Sequence, residues 1–258
     1  MKLIASLTTI PSRVKSLPLV VESIFNQNVP IDEVHLNIPY KCLRTNEDYN
    51  LTELNLQDPR INVHRTPDFG AITKIGPTLL RQIADRQTFV VSVDDDFVYP
   101  NDTVEKLLEG LGTTPRIVTL QGGALSSNGD IQFWYGTGTA TLLEGFAGVL
   151  YPPNVIYRDF SELLNFVMND HELVRSDDVV LSTYFNYHNI EIFLNDPMSP
   201  YGRRDISGGK LPTADVDALN QEYSLQSRLS MYRSAHLKTQ RFLDSFWKRA
   251  ATTENKHR

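Results

Sequence analysis

Apolar and polar positions follow two periods along the first hundred residues of the chain. Residues 3–9 form an apolar run that ends in the polar loop Thr8, Thr9, Ile10, Pro11, Ser12, Arg13, and they read as a first strand. Residues 17–26 carry apolar side chains at 20, 21, 24 and 25, the spacing of one helical face, and Pro30 stops the helix. Residues 33–38 and 60–65 alternate like a second and a third strand, with an ambiguous polar stretch between them that has room for a short helix. Residues 77–84 read as a helix and 88–93 as a fourth strand. This β–α alternation predicts a mainly parallel sheet with crossover helices. Further on, the pattern predicts a helix over 102–111 capped by Asn101 or Asp102, a strand over 116–120 and a turn at Gly122 and Gly123. Strand-like segments follow at 130–135 and 142–150, with Gly136, Gly138, Gly145 and Gly148 between and within them. Helices are expected over 160–168 and 176–187, the second capped by Ser176, then a strand over 190–194. Residues 195–213 are rich in proline and glycine and read as a long loop, and 214–247 are polar and mostly helical in pattern. The expected organisation is one α/β domain over residues 1–213 and a helical or partly disordered extension over 214–258.

The fourth strand carries the chemistry. Its β-branched and aromatic run stops at three consecutive carboxylates, Asp94, Asp95 and Asp96. An isolated acid there would be read as the cap of the helix that follows. Three in a row repel one another unless a positive partner is present. In an open α/β sheet, ligands bind outside the carboxyl ends of the strands. Hard cations such as Mn²⁺ or Mg²⁺ take carboxylate oxygens and bridge to phosphates. The triplet therefore reads as a metal–diphosphate site.

Composition narrows the field. The 258 residues include 25 Lys and Arg against 31 Asp and Glu, a net charge of −6, which disfavours a nucleic-acid surface. The single cysteine, Cys42, excludes an intramolecular disulfide and a thiolate zinc cluster. The N-terminal apolar run is too short for a signal peptide and no run approaches a membrane span, so a cytoplasmic location is expected.

Four segments, in order, resemble the nucleotide-sugar-dependent glycosyltransferases of the GT-A (Rossmann-like) fold. They are the first strand with its Thr8-to-Arg13 loop, the acids Asp94 to Asp96 at the end of the fourth strand, the glycine-rich run Glu144, Gly145, Phe146, Ala147, Gly148, Val149, and the helix-opening Ser176, Asp177, Asp178, Val179. The resemblance covers about residues 1–200. It implies transfer of a sugar from a UDP- or GDP-linked donor to a hydroxyl of a glycan or glycoconjugate, with Mn²⁺ or Mg²⁺ and with inversion. On that reading Asp96 is the direct metal ligand. Asp94 reaches the metal, its water or a ribose hydroxyl, and Asp95 holds the donor sugar or ribose. Thr8 and Gly148 fall in the segments similar to the nucleotide-sugar-binding ones. Asp178 is the expected base, with Asp177 as the alternative, and the N–H groups of its helix are expected to keep it ionised.

Other residues have two readings. Lys74 either pairs with the diphosphate or is a solvated surface lysine. Asp68 can meet the base or ribose. Arg13 either contacts the nucleotide or caps its own loop. Trp134 and Tyr135 are either a sugar platform or core. The six histidines show no paired ligand spacing; His188 and His236 are the candidates for completing a metal shell or for a structural role. Two other enzyme classes share parts of the pattern. A haloacid-dehalogenase-type phosphohydrolase would use Asp94 and Asp96, but it places that motif on its first strand. A sugar nucleotidyltransferase needs a glycine-rich loop after the first strand, and the Thr8-to-Arg13 loop has no glycine. A GT-A-like scaffold that only binds a partner or glycan is the non-enzymatic alternative, and the surplus acids count against it.

Overall fold

The structure, a computed structural model, describes residues 1–54, 56–134, 136–195 and 224–254. Tyr135, nearly all of the loop expected over 195–213, and the two ends of the expected extension lie outside the described residues. The first half of the chain forms β1 (Lys2–Thr8), α1 (Leu17–Phe25), β2 (Glu33–Pro39), β3 (Ile61–Thr66), α2 (Gly76–Arg81) and β4 (Thr88–Ser92). The second half adds α3 (Thr103–Glu109), β5 (Ile117–Thr119), β6 (Gly122–Leu125), β7 (Ile131–Trp134), β8 (Thr137–Ala140), β9 (Leu142–Leu143), β10 (Val149–Tyr151), α4 (Phe160–Val167), α5 (Asp177–Tyr187), β11 (Ile192–Asn195) and α6 (Leu225–Glu254). The main sheet has the order β3-β2-β1-β4-β10-β5-β11-β8, and β7-β6-β9 form a small second sheet.

Strands β1 to β4 pair in parallel, as do β5 and β11, while β10 runs antiparallel between β4 and β5 and β8 runs antiparallel at the edge. The architecture is thus mixed α/β with a mainly parallel sheet flanked by helices, as the alternation predicted. Strands buried on both faces explain the nearly continuous apolar runs. Leu3, Ala5, Leu7, Val91 and Val93 pack with α1 and α3 through Val20, Ile24, Val104 and Leu107. Val90 and Ile117 face the other layer, where Phe160, Leu164, Val180 and Tyr184 of α4 and α5 lie.

Three expectations are corrected. Gly122 and Gly123 do not turn the chain but lie in β6, between β9 and β7. A Cβ on Gly122 would sit 2.2 Å from the Leu142 carbonyl oxygen, and one on Gly123 2.1 Å from that of Gln132, so close backbone approach is what requires glycine there. The single strand expected over 142–150 is two, β9 and β10, separated by a 3-10 turn at Gly145–Ala147 and by Gly148 at φ 98°. Finally, the Ser176 hydroxyl donates to the Glu172 carbonyl and does not cap α5.

Helix α6 lies on α4 and α5. His236 Nδ1 meets the Thr183 hydroxyl at 2.8 Å, Lys238 reaches Asp170 and Glu172, and the Trp247 indole donates to Asp159 at 2.9 Å. His188 and His236, the two histidines considered for a metal shell, are thereby placed in structural hydrogen bonds, since His188 Nε2 also contacts Asp159 at 2.9 Å. Among the described residues no helix is long and apolar enough to cross a membrane.

Candidate active site

Because β1 and β4 are adjacent and parallel, their carboxyl ends open on the same side of the sheet. A cavity of about 890 Å³ opens there, and its lining includes Thr8, Arg13, Asp68, Lys74, Asp94, Asp95, Asp96, Asp177 and Asp178. Nine of the ten residues expected to bind the nucleotide sugar or metal or to act as base therefore meet in one place. The tenth, Gly148, is not on the cavity wall: a Cβ there would face Leu107 and Thr103 of α3 at 3.5 Å. Its positive φ serves the bend that sends the chain from the 3-10 turn into β10.

Two buried cations organise the acids. Arg13 Nη1 lies 2.8 Å from Asp95 Oδ1 and 3.1 Å from Asp96 Oδ2. The Thr9 hydroxyl donates to Asp95 Oδ2 at 2.6 Å. Lys74, only 7% exposed, donates to Asp94 Oδ1 at 2.8 Å. Its Nζ is also 2.9 Å from Asp177 Oδ2, an ion pair without hydrogen-bond alignment. Lys74 is therefore neither solvated nor on the surface. It ties the acid loop after β4 to the first turn of α5. Below it, the Ser6 hydroxyl contacts the Lys74 carbonyl and the Thr78 hydroxyl, which fixes the 3-10 turn at Gly70–Lys74 against β1.

The two remaining acids are held by backbone groups. Gly145 N–H donates to Asp178 Oδ1 at 2.8 Å, so the 3-10 turn before β10 orients the carboxylate expected to act as base. Asp68 accepts from Gly70 N–H and Leu43 N–H, each at 2.8 Å, and so shapes the rim. Tyr99 closes the network: its hydroxyl accepts from Asp94 N–H at 2.7 Å and donates to the Phe146 carbonyl at 2.9 Å.

Charge is out of balance. On the floor of the cavity five carboxyl groups, Asp94, Asp95, Asp96, Asp177 and Asp178, surround two cations, Arg13 and Lys74, and the wider lining adds Asp68, Glu144 and Asp170 against Arg44, Arg175 and Arg228. Burial, and then Asp94 and Asp95, push Asp96 up to about 7, with Arg13 and Lys74 opposing. Burial and Asp177 raise Asp178 well above the usual carboxylate range, against Lys74 and the Gly145 N–H. The expectation that helix N–H groups keep Asp178 low is thus corrected, because its N–H partner comes from another turn and burial dominates. Burial also works against the charge of Lys74, but Asp177, Asp94 and Asp178 outweigh it and hold Lys74 protonated far above the lysine norm. Asp96 Oδ1 is buried and accepts no hydrogen bond. An all-oxygen donor set with a surplus of negative charge and an unpartnered carboxylate oxygen fits a hard divalent cation. Among the described residues no three His, Cys, Asp or Glu side chains are grouped as a ready metal cage.

Sequence reasoning gave no individual role to Thr9, Tyr99 or Gly145. Thr8 donates its hydroxyl to the Asn37 carbonyl, and it is its neighbour Thr9 that reaches the acids. A signal for Thr9 was present, since it begins the loop after β1 on the side of the ligand edge. Trp134 does not line the cavity.

No protein-family model matches the chain, and no curated protein matches it in sequence. Among solved structures it aligns with 2-C-methyl-D-erythritol 4-phosphate cytidylyltransferase of Francisella tularensis, at 11% identity over 80% of this chain and 96% of that chain, with a TM-score of 0.46. It also aligns with the S. aureus TarS fragment crystallised with UDP, at 14% identity over 77% of this chain and 59% of that chain, TM-score 0.44. The mannosyltransferase PcManGT of Pyrobaculum calidifontis, in complex with GDP-Man and Mn²⁺, aligns at 14% identity over 97% of this chain and 80% of that chain, TM-score 0.46. These solved structures thus include a cytidylyltransferase and a mannosyltransferase.

Proposed function

We propose that this chain is a metal-dependent, inverting glycosyltransferase that moves a sugar from a UDP- or GDP-linked donor to an acceptor hydroxyl. The observation that carries this reading is the meeting of two acid groups in one cavity, Asp94 to Asp96 from the end of β4 and Asp177–Asp178 from the start of α5, with Lys74 held between them. A diphosphate donor needs a cation-binding acid cluster, and an acceptor hydroxyl needs a separate carboxylate to take its proton. A phosphohydrolase of the haloacid dehalogenase type would have its nucleophile on the first strand of the domain, whereas these acids follow the fourth.

Asp96, with Asp94 beside it, would hold Mn²⁺ or Mg²⁺ together with the donor phosphates. When bound, such an ion offsets the charge of the departing diphosphate. Arg13 and Thr9 fix Asp95, which faces the donor. Asp178, oriented by the Gly145 N–H, takes the acceptor hydroxyl proton. The acceptor oxygen then bonds to the anomeric carbon as the bond from that carbon to the diphosphate breaks and the nucleoside diphosphate departs. Burial makes the ionised form of Asp178 a stronger base than an exposed aspartate.

A screen of UDP- and GDP-sugars for release of nucleotide, with Mn²⁺ and with EDTA, tests the reaction class. Asp178→Asn keeps the shape and the Gly145 contact, so turnover should fall about a hundredfold or more while nucleotide affinity holds. Loss of turnover only in Asp177→Asn would exchange the two roles. Normal turnover in both variants would refute the base assignment.

A further inference from the structure

The acids and cations described above form the floor of the cavity. The wall beside α5 is built from residues that have no role so far: Met168 and His171 after α4, Arg175 before α5, and Arg228, Met231 and Tyr232 on α6. The spacing of the last three places them on one helical face. The Arg228 side chain is half-buried, and its Nε is buried without a hydrogen-bond partner. A buried N–H donor without an acceptor is unfavourable, and a ligand oxygen would relieve it. Of the acids near this wall, Asp170 is already engaged: its Oδ1 accepts from the N–H groups of Glu172 and Leu173, and its Oδ2 pairs with Lys238 at 2.7 Å. Tyr232 is within electrostatic reach of both Asp178 and Arg228: burial is the largest influence on its hydroxyl, Asp178 raises it and Arg228 lowers it.

We propose that this wall is the acceptor subsite and that it takes an anionic saccharide, one carrying a phosphate or a carboxylate, whose charged group pairs with Arg228 while Tyr232 and Met231 support the sugar ring. This rests on the glycosyl-transfer reading and names its acceptor class. A guanidinium presents a rigid fork that matches both anions and gains little from a neutral hydroxyl. An aromatic face beside an aliphatic thioether suits the apolar face of a sugar. Asp178 lines the same cavity as this wall.

The test is calorimetric titration of the full chain, without donor, using glucose 6-phosphate, glucuronate and methyl glucoside as probes. At least one anion should bind about tenfold to a hundredfold more tightly than methyl glucoside, and Arg228→Gln should erase that difference. Arg228→Lys, which keeps the charge, should retain part of it, and equal melting temperatures in the three proteins show that the fold is intact. Preference for glucose 6-phosphate identifies a phosphate, and preference for glucuronate identifies a carboxylate. Binding of methyl glucoside as tight as that of the anions, absence of anion binding at tens of millimolar, or an unchanged preference in Arg228→Gln each overturns the proposal. Failure of every nucleotide sugar to react would instead overturn the function on which it rests, and that outcome is read in a separate assay.

Discussion

Gly145→Ala isolates the device that holds the two acid groups together. A Cβ at this position would lie 2.5 Å from Lys74 Nζ, 3.0 Å from Lys74 Cε and 3.1 Å from Asp178 Oδ1. Normal contact begins near about 3.5 Å, so the ammonium must retreat by roughly 1 Å. It has little freedom to do so, being 2.8 Å from Asp94 Oδ1 and 2.9 Å from Asp177 Oδ2. A hydrogen bond to a charged group contributes about 1.5–3 kcal/mol, and part of the bond to Asp94 and of the ion pair with Asp177 is lost. Replacing glycine restricts the unfolded chain and returns about 0.4–1 kcal/mol where the backbone tolerates alanine. The net expectation is a loss of about 2 kcal/mol, or a melting temperature lower by roughly 4–8 °C for a chain of this size. Turnover should fall about a hundredfold, since a displacement of about 1 Å in the site has that effect. Calorimetry and nucleotide release read the two outcomes. The cause is read from a cycle with Lys74→Ala: once the ammonium is gone, Gly145→Ala should cost little, giving a coupling of about 1 kcal/mol or more. Costs that simply add, or a Gly145→Ala protein with wild-type melting and turnover, would refute the clamp.

Three further outcomes follow from other parts of the molecule. UDP or GDP should bind much more tightly with Mn²⁺ than in EDTA, and Asp96→Ala should remove the difference; equal calorimetric affinity with and without metal would reject the metal assignment. His35 and His64, with ring centroids 4.8 Å apart, are both lowered, first by burial and then, for His64, by Arg81, which brings His64 to about 4. The unfolded chain takes up protons first on acidification, so stability should fall as the pH drops from 6.5 toward 4, by about 1–2 kcal/mol after allowance for partial exposure. His64→Gln should flatten that slope in pH-dependent thermal melts. Asp159 accepts from Trp247 at 2.9 Å and Tyr184 at 3.1 Å and contacts His188 at 2.9 Å, so Asp159→Ala removes the acceptor of one buried and two half-buried partners. It should cost about 3 kcal/mol or more and loosen α6, an effect checked by melting and by amide exchange along 225–254.

The sequence by itself determined the elements whose burial is one-dimensional. β1 and β4 are nearly continuous apolar runs, β2 alternates Val34, Leu36 and Ile38 with His35 and Asn37, and α1 and α4 place their apolar side chains on one side, so period alone located them. The sequence also located the acid cluster that the cavity gathers, because three adjacent carboxylates at a strand end conflict with burial unless a positive partner is present. Tertiary structure decided what depends on neighbours distant in the chain. The insertion of β10 between β4 and β5 is set by hydrogen bonding across the sheet, and no local pattern encodes it. Gly122 and Gly123 looked like a turn because glycine is common to turns and to tight backbone contacts, and only the packing of Leu142 and Gln132 distinguishes the two. The partners of Lys74 lie 20 and 103 residues away, so the sequence could place the lysine near the acids but could not show that it bridges them. The basicity of Asp178 was misjudged from its place at a helix start, since burial and Asp177, which raise it, arise from the folded surroundings more than from the helix. Helix α6 reads as a polar strand of sequence with scattered apolar positions. Its role as a cavity wall appears only when Arg228, Met231 and Tyr232 are brought to the same opening as the acids.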